Sequence, residues 1–177
     1  GYVQSVCTYQ HAEEAWENLQ KIFGKLKDGE KQTIVIGTGH AKATCQGAAF
    51  EYALNIANEI NKRGLAKNAD IVWLTNEYEV GDFGMGGAYV KRNGYVTSTK
   101  VFTESILAEY GIRWIHRAGV TKVDKNSIHY ETLDGGIATI EYDYAMLIPG
   151  FSGTNIPTYD KYQDDITSKL FAPNGFM

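Results

Sequence analysis

Apolar side chains recur at Ala12, Ala15, Trp16, Leu19, Ile22, Phe23 and Leu26. This is helical spacing and predicts one amphipathic helix over residues 12–26 with a single buried stripe. Glu13 and Glu14 fall in its predicted first turn and Lys21 and Lys25 in its last, as the helix dipole favours. Gly29 is a plausible stop. The run Thr33-Ile34-Val35-Ile36 then has no alternation, as in a strand buried on both faces. A glycine-containing loop leads to a second predicted helix, about 46–62, with Ala49, Tyr52, Ala53, Ile56, Ala57 and Ile60 on one face. Gly64 ends it.

Residues 70–75 predict a second buried strand. Residues 80–98 carry Gly81, Gly84, Gly86, Gly87 and Gly94 and read as an irregular loop. A third helix is expected over about 99–110, stopped by Gly111, and a third strand over 112–116. Three alternating segments, near 119–123, 127–132 and 137–141, turn at Lys125-Asn126 and Asp134-Gly135-Gly136, which are hairpin signals. The apolar run 144–149 predicts a last strand. Strands alternating with helices imply a parallel sheet. The expected fold is α/β: a Rossmann-like domain of the FAD/NAD(P)-binding type, with a parallel sheet and a three-stranded antiparallel β-meander. Residues 1–30 form an entry segment with its helix, 31–153 the Rossmann-like unit, and 154–177 a tail with few periodic features.

A length of 177 residues suits one domain. The net charge of −4 makes a nucleic-acid backbone a poor match, so no nucleic acid is expected as partner. No apolar run reaches membrane-spanning length, and the first residues lack the basic and apolar regions of a signal peptide. The chain lacks an initiating Met and stops at Asn174-Gly175-Phe176-Met177, so a piece of a longer protein is expected. Cys7 and Cys45 are too few for a disulfide framework and form no paired motif for zinc.

Strand, glycine loop and helix at residues 33–50 form the setting in which dinucleotide phosphates bind. The fingerprint, however, needs a small residue three positions after Gly39, and Lys42 stands there. Gly47 and Ala48 come too late. The preferred reading is a scaffold without the nucleotide; the other is NAD binding. Glu77, just past the second strand, sits where a ribose-binding acid belongs, or is a plain surface charge.

Cys45 immediately precedes the second helix. A thiol there feels the positive end of the dipole and unpaired N–H groups, which favour the nucleophilic thiolate. Lys42 and His40 share its loop. The competing reading is a small buried apolar residue, the common fate of a free cysteine. Cys7 precedes the first helix, with His11 one turn on. A Cys7–Cys45 disulfide stays open, as does zinc held by Cys7, His11, His40 and Cys45, although their spacing matches no zinc motif. His116 and His129 fall in predicted strands and read as structural.

Ser5-Val6-Cys7 before an amphipathic helix, then Gly37-Thr38-Gly39, then the segment from Thr44-Cys45-Gln46-Gly47 to Glu51-Tyr52-Ala53, resemble the sulfide:quinone oxidoreductases. So do residues 81–87, Gly-Asp-Phe-Gly-Met-Gly-Gly, and 147–153, Leu-Ile-Pro-Gly-Phe-Ser-Gly. The Cys-x-Gly-x-x-Phe-Glu pattern at a helix start is the specific part. That family belongs to the pyridine nucleotide–disulfide oxidoreductase flavoproteins. The resemblance implies the middle portion of a two-domain FAD enzyme, whose FAD domain comes from sequence before and after this one and whose second unit does not use NAD.

By that resemblance Cys45 is one of two redox cysteines beside the flavin, with its partner beyond Met177, and Cys7 is the additional cysteine near FAD. Gly39, Pro149 and Gly150 fall in the FAD environment of the parent. The implied parent oxidises sulfide or polysulfide, passes two electrons through flavin to quinone, and associates peripherally with a membrane through parts not present here. The chain itself departs from the complete pattern: it has no FAD pyrophosphate motif, no amphipathic helices at its end and no second redox cysteine. Alone it is expected to be soluble and inactive. The alternatives are an NAD(P)H-dependent flavoprotein of the type II NADH dehydrogenase kind, with Glu77 on the ribose, or a non-catalytic Rossmann-like binding module.

Overall fold

The computed structural model describes residues 2–40, 42–43, 45–154 and 156–176. Helix α1 (Tyr9–Lys27) starts earlier than the periodicity predicts, because Thr8 caps it by accepting from the His11 N–H. Glu13 and Glu14 therefore fall beyond its first turn. Ala15, Leu19, Ile22, Phe23 and Leu26 are buried, but Trp16, expected in the stripe, is 50% exposed at its edge. There it packs edge-on against Phe23.

Strand β1 (Gln32–Thr38) leads to α2 (Gln46–Lys62), β2 (Ala69–Thr75), α3 (Thr99–Glu109) and β5 (Ile112–Ile115), with β9 (Tyr144–Leu147) last. The four strands form one parallel sheet in the order β5-β2-β1-β9. Its side chains divide cleanly by alternation. Ile34, Ile36, Ile71, Trp73, Ile112, Tyr144 and Met146 join the α1, α2 and α3 side chains in one core. Val35, Val72, Leu74, Ala145 and Leu147 join Ala118, Ile128 and Ile140 in the other. The second core lies beneath the antiparallel meander β6 (Gly119–Val123), β7 (Ser127–Glu131) and β8 (Ile137–Glu141). Both faces of the sheet are thus covered, which is why β1 reads as an unbroken apolar run.

The glycine-rich segment is not all loop. Strands β3 (Tyr89–Arg92) and β4 (Tyr95–Ser98) form a separate antiparallel hairpin. Its turn is Asn93-Gly94, both with positive φ (51° and 85°), the type I′ geometry that Asn-Gly favours. A short helix, α4 (Thr167–Leu170), interrupts the tail. His116 falls one residue past β5 rather than within it.

Candidate functional site

The strands β1, β2, β5 and β9 all end at one edge of the sheet, and the loops that follow them are stitched together. The Ile148 N–H donates to the Gly37 carbonyl (2.9 Å) and the Phe151 N–H to the Lys42 carbonyl (3.0 Å). His40 anchors the loop after β1: its carbonyl accepts from the Ala43 N–H (2.9 Å) and the Asn76 side chain (3.3 Å), and its Nδ1 accepts from the Lys42 N–H (3.0 Å). Open-sheet α/β proteins bind ligands at this edge.

Cys45 stands on that edge at the head of α2. Its backbone is left-handed (φ 74°), its side chain makes no capping bond, and its thiol is free and exposed. The reading of Cys45 as a buried apolar residue is therefore overturned. Cys7, just before the Thr8 cap, is also free and exposed. No disulfide joins the two. Among the described residues no group of three or more His, Cys, Asp or Glu side chains gathers, so the four-ligand zinc arrangement is not assembled. Ala41 and Thr44, which flank this loop in the sequence pattern, lie outside the described residues.

Packing accounts for the glycines. A Cβ on Gly37 would stand 1.6 Å from the Leu74 carbonyl oxygen of β2, and one on Gly39 would stand 1.9 Å from Val120 Cγ2 in the meander. Gly39 is buried, and its carbonyl accepts from the Val120 N–H (2.6 Å). Nothing about either position asks for a phosphate. Pro149 and Gly150 are exposed at the rim, and a Cβ on Gly150 would meet the His40 ring at 2.7 Å. Among the described residues, Cys45, His40, Lys42, Pro149 and Gly150 are thus exposed at the sheet edge.

Glu77 is neither a free ribose-binding acid nor a surface charge. It is 6% exposed and turned inward. Oε1 accepts from the Phe83 N–H (2.6 Å) and Oε2 from the Thr75 hydroxyl (2.9 Å), which in turn pairs with the Thr38 hydroxyl (3.0 Å). Burial raises its carboxyl above the ordinary range; the bonds from Phe83 and Thr75 oppose this, and the Asp82 charge adds to it. This brace holds the loop that carries Phe83, whose ring packs edge-on against Phe50 of α2, and Gly84, which lies against the Gln46 amide. Gln46 is the residue after Cys45. Sequence reasoning missed this chain of contacts; the pair Thr38 and Thr75 at matched strand ends was its one visible trace. His129, read as structural, bridges Asp124 (3.0 Å) and Thr139 (2.9 Å) on the meander.

The fold defines a Rossmann-like unit of the FAD/NAD(P)-binding type. No family model matches the chain. It is 29% identical over 152 residues to the sulfide-quinone reductase of Aquifex aeolicus, covering 86% of this chain and 32% of that protein. The solved structure of the Aquifex aeolicus sulfide:quinone oxidoreductase superposes with a TM-score of 0.73 at 28% identity, over 86% of this chain and 32% of that one. NDH2 of Plasmodium falciparum, solved with NADH, shares the fold alone, with a TM-score of 0.58 at 14% identity over 86% of this chain and 31% of that one. The chain therefore spans about a third of the length of these relatives. Over that third it is similar in sequence and in fold to the Aquifex aeolicus protein.

Proposed function

We propose that this chain is the second, nucleotide-domain-like unit of a flavin-dependent sulfide:quinone oxidoreductase. Cys45 is one of its redox cysteines and Cys7 an accessory thiol near the flavin. The observation that carries this reading is the exposed Cys45 thiol, at the sheet edge and at the start of α2, within a segment similar to the Aquifex enzyme. Sulfide attacks an S–S bond between Cys45 and a second cysteine outside this chain. One S–S bond breaks and another forms, leaving a persulfide on one cysteine and a thiolate on the other. FAD in the parent supplies the electron acceptance, and quinone is the final acceptor.

The glycines of this chain, taken up by Leu74 and Val120, form no pyrophosphate cradle. The nucleotide half of FAD is therefore held by other parts of the parent, and Gly39, Pro149 and Gly150 contribute only to the rim. Glu77, spent on Phe83 and Thr75, weighs against the NAD(P)H-dependent alternative. No helix among the described residues is long and apolar enough to cross a membrane. The parent's peripheral membrane association is assigned to its other parts, and nucleic acid is no partner of this acidic chain.

The test is Cys45→Ser in the FAD-loaded parent. Sulfide-dependent reduction of a soluble quinone analogue is expected to be lost while the flavin spectrum is retained. Undiminished turnover in that variant refutes the assignment.

A further inference from the structure

The three long helices do not start alike. Thr8 caps α1 and Ser98 caps α3, each hydroxyl accepting a backbone N–H, from His11 and from Val101. Cys45 holds the corresponding place on α2, and its side chain makes no capping bond. The first turn of α2 is held from outside instead. Two residues of the loop after β2 lie against it at points one turn apart. Gly84 sits beside the Gln46 amide, where even a Cβ would stand 3.3 Å from Oε1. The Phe83 ring packs edge-on against Phe50, with centroids 5.6 Å apart. Phe50 in turn packs edge-on against the fully buried Trp73 (5.9 Å).

That loop is itself held in an unusual shape. Phe83 has φ 48°, a region uncommon for a bulky side chain, and a residue stays there only where its surroundings impose it. Asp82 closes the loop on itself by accepting from the Glu79 N–H (3.0 Å). Glu77 is the side chain that ties Phe83 to the sheet. Its Oε1 accepts the Phe83 N–H at 2.6 Å. Its own position is fixed at three more points: the Thr75 hydroxyl donates to Oε2 (2.9 Å) and accepts from the Glu77 N–H (3.2 Å), and the Glu77 carbonyl accepts from the Arg117 N–H (2.9 Å). A contiguous line therefore runs from the ends of β1 and β2 through Glu77 and Phe83 to the first turn of α2.

We infer that Glu77 is a positioning residue for the Cys45 thiol: by holding Phe83 and Gly84 against Phe50 and Gln46, it stands in for the missing cap and fixes where the sulfur at the head of α2 is presented. This rests on the reading of Cys45 as a redox thiol and deepens it. Glu77 touches no reacting atom. A buried carboxylate serves because it accepts the short Phe83 bond while the hydroxyl of Thr75 satisfies its other oxygen. Displacing a reacting group by about 1 Å is enough to cost a large part of the rate.

The test is a nitroxide label on Cys45 in the 177-residue chain carrying Cys7→Ser, read by electron paramagnetic resonance. Glu77→Ala is expected to narrow the central line as the first turn of α2 loosens. Glu77→Gln still accepts from the Phe83 N–H and is expected to keep the broad spectrum. Phe83→Ala keeps the bond to Glu77, removes the ring from Phe50 and is expected to narrow the line as well, which serves as the test should Glu77→Ala fail to fold. Ile128→Ala, in the core on the other face of the sheet, is expected to lower the melting temperature and leave the label unchanged. A spectrum unchanged in Glu77→Ala and Phe83→Ala, or narrowed equally in Ile128→Ala, overturns the positioning role. In the FAD-loaded parent, Glu77→Ala is expected to lower sulfide-dependent quinone reduction by up to about 100-fold with the flavin spectrum kept, and Glu77→Gln to retain it. Loss of turnover in Cys45→Ser but not in Glu77→Ala overturns the positioning role alone; undiminished turnover in both overturns the redox reading.

Discussion

Glu77 supports a quantitative prediction because its partners can reverse polarity. In the ionised state the Thr75 hydroxyl donates to Oε2, and the Thr38 hydroxyl donates to Thr75. Protonation of Glu77, or Glu77→Gln, places a donor on Thr75 instead; Thr75 then donates to Thr38, and the other side-chain oxygen still accepts from the Phe83 N–H. Glu77→Gln therefore exchanges charge-assisted bonds for neutral ones, a loss of about 1 kcal/mol, while removing the cost of a buried charge. Its net effect at neutral pH is expected within about 1 kcal/mol of zero. Glu77→Ala orphans the Phe83 N–H and leaves a void, costing about 2–3 kcal/mol, or roughly 4–12 °C in melting temperature for a chain of this size.

The pH dependence follows from the raised carboxyl. The folded state holds the Glu77 proton more tightly than the unfolded chain does. Its stabilising contribution is therefore complete below the unfolded value of about 4.3 and is lost as pH rises through the raised folded value. Urea unfolding followed by tryptophan fluorescence, repeated between about pH 4.5 and 8, reads this directly. The unaltered chain is expected to gain on Glu77→Gln as pH falls. A gain as pH rises, or parallel curves, refutes the argument that burial dominates at Glu77.

Two further outcomes test the packing. Gly37→Ala drives a methyl into the Leu74 carbonyl and is expected to cost at least about 3 kcal/mol by urea unfolding, whereas Gly47→Ala in α2, with open space around it, is expected to stabilise by about 0.5–1 kcal/mol; equal effects would contradict the close approach of β1 and β2. Tyr144→Phe removes the 2.6 Å bond to the Tyr52 hydroxyl and is expected to lower the melting temperature by about 2–4 °C, for a loss near 1 kcal/mol, with no pH dependence through neutrality because burial first, then the nearby Tyr52, holds the Tyr144 hydroxyl protonated.

Much of the fold was legible because its signals are local. Ile34-Val35-Ile36 could only be apolar throughout if both faces were covered, and helices and meander cover them. The turn at Asp134-Gly135 announced the meander. The Asn93-Gly94 turn was equally plain, but the glycines before it pointed to loop, and a ribbon exposed on both faces lacks the alternation that betrays a strand packed on a core. Trp16 was misplaced because periodicity shows where a stripe lies but not how wide its cover is. Glu77 turned inward for a reason no spacing reveals: its partner is a backbone N–H presented by Phe83 at φ 48°.

The glycine loop shows most clearly where the site was and was not legible. A glycine reports that something comes too close for a side chain; it does not report what. At Gly37 the neighbour is the backbone of β2, and at Gly39 it is Val120 of the meander. Both approaches are made within the chain, between elements distant in sequence, and so were invisible before the fold. Cys45 differs because its setting is local. A helix of helical periodicity starts at the next residue, a buried strand ends shortly before it, and parallel strands must finish at one common edge. Those facts place a thiol on the edge from sequence alone. They leave open how far it is covered; Cys45 is free and exposed, with a left-handed backbone and no bond made back to the helix. The glycines of this loop accordingly serve packing, and Cys45 is the nucleophilic group that the chain leaves uncovered at the edge.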